Sequence, residues 1–196
     1  RIAMTTPAAD FDQQLVRWRH HLHRHPETGF NEVQTADYVA RILSALGLDV
    51  HRGIGGTGVV ANLSVGSGGP TIGLRADMDA LAMAEAAPGR AHASSHPGCM
   101  HACGHDGHMA MVLGAAQLLA ERRDFDGTVR FIFQPAEEHG KGAAAMMADG
   151  LFERFPVDEI YGAHNIPGMP AGHMAIRSGG LMASEDNFTI AITGRG

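Results

Sequence analysis

The sequence predicts an α/β fold with a mixed, mostly parallel sheet and flanking helices. Two N-terminal segments show the apolar spacing of helices, and several short runs are rich in β-branched and aromatic residues. From residue 71 onwards such runs alternate with helical segments, which is typical of α/β domains. The chain of 196 residues is 44% hydrophobic and 18% charged, which is ordinary for a globular protein with a buried core.

The first predicted helix begins at Asp10, which can cap its N-terminus, and ends before Pro26. Its apolar residues follow helical spacing at Phe11, Leu15, Trp18 and Leu22. The second predicted helix stops at Gly47. Its apolar face carries Ala36, Val39, Leu43 and Leu46.

Strands and helices follow in alternation. Strands are predicted at residues 58–65, 71–76, 129–133 and 159–163, and helices at 104–122 and 143–148. Residues 84–100 are predicted to be a loop. The side chains of residues 187–193 alternate in the manner of a strand, close to the end of the sequence. We therefore expect the sequence to stop at the start of a second domain.

Charge and hydropathy exclude several classes of partner. Fifteen basic and 21 acidic residues give a net charge of −6, so no nucleic-acid partner is expected. No apolar run approaches the roughly 18 residues that cross a bilayer, so no membrane association is expected. No secretion signal opens the sequence, so we expect a cytoplasmic protein in which Cys99 and Cys103 form no disulfide.

Residues 100–108 place a thiol, three imidazoles and a carboxylate within nine positions. Cys103 and His105 flank Gly104 at the start of a predicted helix, where the helix dipole favours an anionic, metal-binding thiolate. Gly104 lets the backbone bend so that both side chains can face one ion. A histidine-rich capping loop with no ligand is the alternative interpretation.

Acids and an imidazole also follow three predicted strands. Asp77 and Asp79 follow the strand at 71–76, Glu137 and Glu138 follow the strand at 129–133, and His164 follows the last one. Function in open α/β sheets collects beyond the carboxyl ends of strands. Carboxylate, thiolate and imidazole suit a divalent ion of the zinc, manganese, nickel or cobalt type.

Glu137 and Glu138 are predicted to have different roles, because the side chains of successive residues point in different directions. One glutamate can bind an ion while the other faces the substrate water, and a bridging thiolate would hold two ions together. A solvated surface pair of glutamates is the alternative. The glycine-rich residues 53–58 match a dinucleotide fingerprint, but a predicted strand follows them instead of the required helix.

These motifs resemble the peptidase M20 family, in the branch of aminoacylases, hippurate hydrolases and auxin-conjugate hydrolases. The resemblance runs in order from about residue 11 to the end. The matching stretches are residues 74–81, 100–108, 133–138, 162–167, 179–184 and 194–196.

The resemblance implies a zinc-peptidase-like catalytic domain that binds two divalent ions (Mn, Zn, Ni or Co). It implies that Cys103 bridges the ions and that His105, Glu138 and His164 are further ligands. Glu137 matches the general base that deprotonates the attacking water and later protonates the leaving amine. Asp77 matches the acid that supports the metal centre from behind.

The implied reaction is hydrolysis of N-acyl amino acids to a carboxylic acid and an amino acid. The branch also implies domain boundaries: residues 1–185 as an incomplete catalytic domain, and 186–196 as the first strand of an α+β lid domain. In relatives the chain continues into that lid domain, through which homodimers form. It then returns to the catalytic domain and supplies a last histidine ligand. We therefore expect the 196-residue piece alone to be poorly active.

Two alternatives to the amidohydrolase stay open. One is a dipeptidase or carboxypeptidase of the same superfamily, although the Cys-Gly-His arrangement of residues 103–105 favours the amidohydrolase branch over the Asp-bridged peptidases. The other is a non-catalytic metal-binding module, which would need Glu138 but would have no use for a base at Glu137. The chain also departs from many relatives at Ala82, where they carry proline.

Overall fold

The computed structural model describes residues 9–86, 89–184, 186 and 188–195. The chain divides into a compact unit that ends at Asn165 and a second unit, Ile166–Gly196. None of the helices in these described ranges combines the length and apolarity needed to cross a membrane.

The two N-terminal helices form where their apolar spacing predicts them. Helix α1 spans Ala9–Arg24, with acidic residues in its first turn and basic residues in its last, an arrangement that complements the helix dipole. Helix α2 spans Val33–Ala45, and its buried face includes Val39 and Leu43.

A five-stranded mixed sheet forms the centre of the first unit, with the order β1-β2-β4-β3-β5. The strands are β1 Asp49–Ile54, β2 Gly58–Val65, β3 Thr71–Asp77, β4 Gly127–Gln134 and β5 Glu159–Gly162. Strand β3 pairs in parallel with β4 and β5, whereas β1–β2 and β2–β4 are antiparallel. The predicted mixed sheet with flanking helices is confirmed. Its parallel strands are β3, β4 and β5, and the predicted acids and His164 follow these strands.

Strand β1 was not predicted, because its side chains lack an apolar face. Asp49 and Arg52 are exposed, and among its six residues only Ile54 is buried. The strand is held instead by its antiparallel pairing with β2 across a short turn. This hairpin raises the antiparallel share of the sheet above what the sequence indicated.

Three further helices complete the unit: α3 His105–Arg122, α4 Gly142–Ala148 and α5 Leu151–Arg154. Alternate residues of β4 face opposite sides of the sheet, as the period of a strand requires. Phe131 and Phe133 join the main core, which includes Val39 and Leu113, whereas Ile132 packs with a smaller cluster that contains Met146. The sheet is therefore covered on both faces.

The second unit has no helix or strand among residues 166–184, 186 and 188–195. The strand predicted at 187–193 is wrong for positions 188–193, and Asn187 lies outside the described residues. A strand needs a hydrogen-bonded neighbour, and no described residue pairs with this segment. The domain boundary at 185/186 stays a prediction.

Candidate metal centre

His105 lies at the centre of the candidate site, fully buried at the first turn of α3. Its Nδ1 lies 2.8 Å from the carbonyl oxygen of Asp79. Because a carbonyl only accepts, Nδ1 carries a proton and donates, which leaves Nε2 as the nitrogen available to a metal ion. The backbone of Asp79 thereby sets the tautomer that a metal-binding imidazole requires.

Three carboxylates surround the Nε2 atom of His105. The nearest oxygens belong to Asp77 at 3.6 Å, Glu138 at 3.7 Å and Glu137 at 3.8 Å. These distances are too long for hydrogen bonds, and neither His105 Nε2 nor Glu138 Oε1 has a hydrogen-bond partner among the described residues. Buried polar atoms without partners are rare, and here they face one another as the ligands of a shared cation do.

The thiol of Cys103 belongs to the same group of ligand atoms. Its Sγ lies 3.4 Å from Nε2 of His164, while Nδ1 of His164 donates to the Asn165 carbonyl at 2.7 Å. Cys103, His105 and His164 each offer a ligand atom within 4.8 Å of the others, and so do His105, Glu137 and Glu138. The structure thus brings together all the side chains that the sequence named as ligands.

Gly104, between the thiol and the imidazole, adopts a backbone conformation that glycine favours. Its φ is 90°, in the left-handed region, and a Cβ there would collide with the Asn165 side chain. This supports the prediction that Gly104 lets Cys103 and His105 face one point.

The protonation state of Cys103 differs from the sequence expectation. Burial and the neighbouring Glu138, Glu137 and Asp77 carboxylates raise the pKa of the thiol to about 11. The helix dipole therefore does not produce a thiolate by itself, because nearby negative charge outweighs it. A divalent cation reverses this balance, since a coordinating thiol is deprotonated by the charge of the ion. The donor set and its excess negative charge thus fit a metal centre.

Asp77 is ionised at the rear of the group. Burial alone would raise its pKa, but a hydrogen bond from His108 and the charge of Arg75 hold the pKa at about 2. Arg75 Nη1 donates to Oδ2 at 2.8 Å, and His108 Nδ1 donates to Oδ1 at 2.6 Å. Asp77 therefore orients His108 while its other oxygen faces His105.

Sequence reasoning gave no role to three residues of the site, although Asp79 and His108 lie in stretches that it singled out. His108 is buried beside Asp77, Asn165 donates its backbone N–H to His108 Nε2 at 3.2 Å, and Asp79 accepts the backbone N–H of Glu138 at 3.0 Å. The i, i+3 spacing of His105 and His108 on one helix was a usable signal. The contacts of Asp79 and Asn165 depend on the tertiary fold, so spacing could not show them.

A second polar cluster lies between α1 and the start of α3. His23 Nδ1 and Arg19 Nε donate to Asp106 Oδ2 at 3.0 and 3.1 Å. His101 is buried nearby, and neither of its ring nitrogens has a partner among the described residues. None of these four residues joins the described groups of ligand atoms that could hold a metal ion.

Comparisons with known proteins match the part of the chain that contains these site residues. The sequence profile described as Peptidase family M20/M25/M40 matches residues 73–195. The chain is 44% identical over 187 residues to a hippurate hydrolase of Campylobacter jejuni, covering 95% of this chain and 48% of that protein. It is 42% identical over 186 residues to an N-acetyl-L-cysteine deacetylase of Bacillus subtilis, covering 94% of this chain and 44% of that protein.

A solved structure gives the same result for the fold. The crystal structure of a Bacillus subtilis protein, described as a dinuclear metal-binding peptidase from the M20 family, matches with a TM-score of 0.78 at 41% identity. The match covers 84% of this chain and 45% of that chain. The chain spans about half the length of the curated relatives that it matches.

Proposed function

Since the chain belongs to peptidase family M20/M25/M40, we propose that the whole protein is a metal-dependent amidohydrolase. It acts on N-acyl amino acids of the hippurate type and releases a carboxylic acid and an amino acid. One observation carries this proposal: His105 Nε2, which has no hydrogen-bond partner in the part of the chain that the structure describes, faces the carboxylates of Asp77, Glu137 and Glu138 at 3.6–3.8 Å.

Four side chains would hold two divalent ions of the zinc, manganese, nickel or cobalt type: Cys103, His105, Glu138 and His164. Imidazole, thiolate and carboxylate ligands suit these ions. When bound, such ions polarise an amide carbonyl and lower the pKa of water. Asp77 would orient the site from behind through its hydrogen bond with His108 and its charge beside His105.

Glu137 has the properties of a general base. Burial raises the pKa of its carboxyl, against the lowering effect of His105 and with a further rise from Asp77 and Glu138. A carboxyl with a raised pKa accepts a proton from water and then passes it to a leaving amine near neutral pH. Its side chain is 40% exposed, compared with 22% for Glu138, so Glu137 is the glutamate open to substrate.

Glu138 is the glutamate better placed to bind metal. Its Oε1 is buried without a hydrogen-bond partner among the described residues, and its backbone N–H is fixed by Asp79 Oδ2 at 3.0 Å. Both carboxylates lie within 3.8 Å of His105 Nε2, but the Glu137 side chain is the more exposed of the two. We therefore propose that Glu138 binds metal and that Glu137 acts as the general base.

The substrate class comes from the relatives. A hippurate hydrolase and an N-acetyl-L-cysteine deacetylase are named for two different N-acyl amino acids. We therefore expect the acyl group to vary within the class while the amide bond and the amino acid carboxylate are shared. A homodimer and a cytoplasmic location remain predictions.

Substitution of Glu137 by glutamine in the complete protein tests the proposal. We expect the two-ion content to persist and hippurate hydrolysis to fall about 10²- to 10⁴-fold, because glutamine cannot accept the proton. Metal content is measured by elemental analysis, and activity by release of free glycine. Glu153→Gln, at an exposed position of helix α5, is the matched control and is expected to behave like the unmodified protein.

The results separate the alternatives. Retained hydrolysis in Glu137→Gln would remove Glu137 as the base, and loss of metal would make it a ligand instead. A dipeptide tested beside hippurate distinguishes the peptidase alternative, which the description of the Bacillus subtilis structure as a peptidase favours. An unmodified protein that holds metal but hydrolyses neither compound would be a metal-binding module.

A further inference from the structure

Glu32 is a fully buried carboxylate outside the group of candidate ligands. No ion pair in the described part of the chain includes it. Its two oxygens each accept one hydrogen bond: Oε1 from the backbone N–H of Ala136 at 2.8 Å, and Oε2 from the Thr57 hydroxyl at 2.6 Å. Burying a carboxylate away from water is unfavourable, so this position requires a reason.

The reason is not the capping of its own helix. Glu32 occupies the N-cap position of α2, yet its side chain makes no cap hydrogen bond. The carboxylate of Glu27 caps the helix instead. It accepts hydrogen bonds from the backbone N–H groups of Gln34 and Thr35 at 3.2 and 2.8 Å. The Glu32 side chain is thereby left to face the turn that follows β4.

That turn is where β4 delivers Glu137 and Glu138. Ala136, which immediately precedes them, has a φ of 45°, in the left-handed region that residues other than glycine seldom adopt. Such a conformation is strained and persists only when surrounding contacts enforce it. The N–H group bound by Glu32 belongs to this strained residue.

We infer that Glu32 is a positioning residue for the Glu137–Glu138 pair, acting through the backbone of Ala136. The inference rests on the proposed function, in which Glu137 moves a proton and Glu138 binds metal. Two carboxylates hold the turn: Glu32 accepts the Ala136 N–H, and Asp79 accepts the Glu138 N–H at 3.0 Å. Loss of the first contact lets Ala136 relax and moves Glu137 away from its working position.

Three variants of the complete protein test this. Glu32→Ala removes both hydrogen bonds. Glu32→Gln keeps both, because its amide oxygen accepts from Ala136 and its amide N–H donates to Thr57. Thr57→Val removes only the hydrogen bond to Glu32 Oε2, which does not involve the turn after β4. It is the matched control for lost stability.

For Glu32→Ala we expect kcat for hippurate to fall about 10- to 100-fold, with KM within about threefold, because a shift of about 1 Å costs on that order. Metal content is expected to persist. Hydrogen exchange of the Ala136 amide is expected to rise about tenfold. Glu32→Gln restores kcat and exchange to near the unmodified values, and Thr57→Val keeps kcat within about twofold.

Exchange and kcat unchanged in Glu32→Ala would overturn the inference. So would a Glu32→Gln variant as impaired as Glu32→Ala, or a Thr57→Val variant with the same loss of kcat. If Glu32→Ala does not fold, Glu32→Asp takes its place, since its shorter side chain cannot span both partners and is expected to raise exchange at Ala136. An unmodified protein without hydrolytic activity would defeat the proposed function, whereas amide exchange would still decide the role of Glu32.

Discussion

Histidine side chains in this chain differ in role according to what each ring nitrogen contacts. His105 donates from Nδ1 to a backbone carbonyl, and its Nε2 has no hydrogen-bond partner within the described ranges, as in a metal ligand. His108 donates from Nδ1 to Asp77, and its Nε2 contacts both the side-chain oxygen and the backbone N–H of Asn165, so both of its nitrogens have partners. His101 has no partner for either nitrogen among the described residues.

His101 gives a prediction for pH dependence. Burial lowers its pKa to about 4, and His105 and His23 add to this against the opposing charge of Asp106. Above pH 6.5 the ring is neutral in both the folded and unfolded states, so its contribution to stability is fully present. As the pH falls towards 4 the unfolded state alone takes up the proton, which removes up to roughly 3 kcal/mol of the free energy of unfolding.

The variant His101→Leu lacks this titration. With a chelator present, its free energy of unfolding in urea is expected to fall less between pH 7 and pH 4 than that of the unmodified protein. At pH 7 the change is expected to be small, because the leucine replaces ring nitrogens that had no described partner. His173→Leu, at an exposed position, is the control. Equal acid sensitivity of the His101 variant and the unmodified protein would contradict the prediction.

At this scale the sequence could identify Cys103, His105, Glu138 and His164 as candidates, because they follow predicted strands or begin a helix. It could not identify Glu32. Its contact with Ala136 joins residues 104 positions apart and depends on a left-handed turn for which alanine gives no signal. The raised pKa of Cys103 was also beyond the sequence, since it depends on which carboxylates the fold gathers around the thiol.

Among the elements, α3 connects the site to the core. Its first turn carries His105 and Asp106, and its middle packs on α1. Gly114 lies at this contact, where a Cβ would be 2.6 Å from Leu15 Cδ2 and 3.3 Å from Phe11 Cζ. The absence of a side chain at Gly114 therefore allows α1 and α3 to approach closely.

Gly114→Leu is expected to lower the free energy of unfolding by about 1–3 kcal/mol, because the added side chain overpacks the contact between α1 and α3. Gly107→Leu is the matched control on the same helix, since a Cβ there meets no atom within 4 Å. That variant is expected to be unchanged or more stable by up to about 1 kcal/mol, because leucine favours helix more than glycine does. Urea denaturation measures both, and equal effects would contradict this account of the packing.

The elements with a strong periodic pattern were the ones that the sequence could predict. Helices α1, α2 and α3 and strands β2, β3, β4 and β5 form at or within a few residues of the expected positions. Strand β1 and the four-residue helix α5 were missed, because neither carries an apolar pattern long enough to be distinctive. Pairing in the sheet, not composition, makes Asp49–Ile54 a strand.

On the scale of the whole molecule, the fold assembles the site from distant segments. In the parallel register Asp77 pairs with Gln134 and Arg75 with Gly162, so β3, β4 and β5 end along one edge. The Cys103 thiol comes from the loop before α3, and the His105 imidazole comes from the first turn of that helix. A cation at this edge would join segments that the unfolded chain keeps apart, so metal binding and folding must be coupled.

The coupling predicts how metal removal changes thermal stability. Dialysis of the complete protein against a chelator is expected to lower Tm by roughly 5 °C or more, since a ligand at 100 times its Kd contributes about 2.7 kcal/mol. Added Mn²⁺ or Zn²⁺ is expected to restore Tm in the unmodified protein. In Cys103→Ala we expect bound metal to be lost and the Tm response to be reduced, whereas Cys99→Ala, four positions earlier, keeps both. Differential scanning calorimetry with elemental analysis measures the two quantities together. A Cys103→Ala variant that retains two ions and the full shift of Tm would show that the thiol is not the bridging ligand.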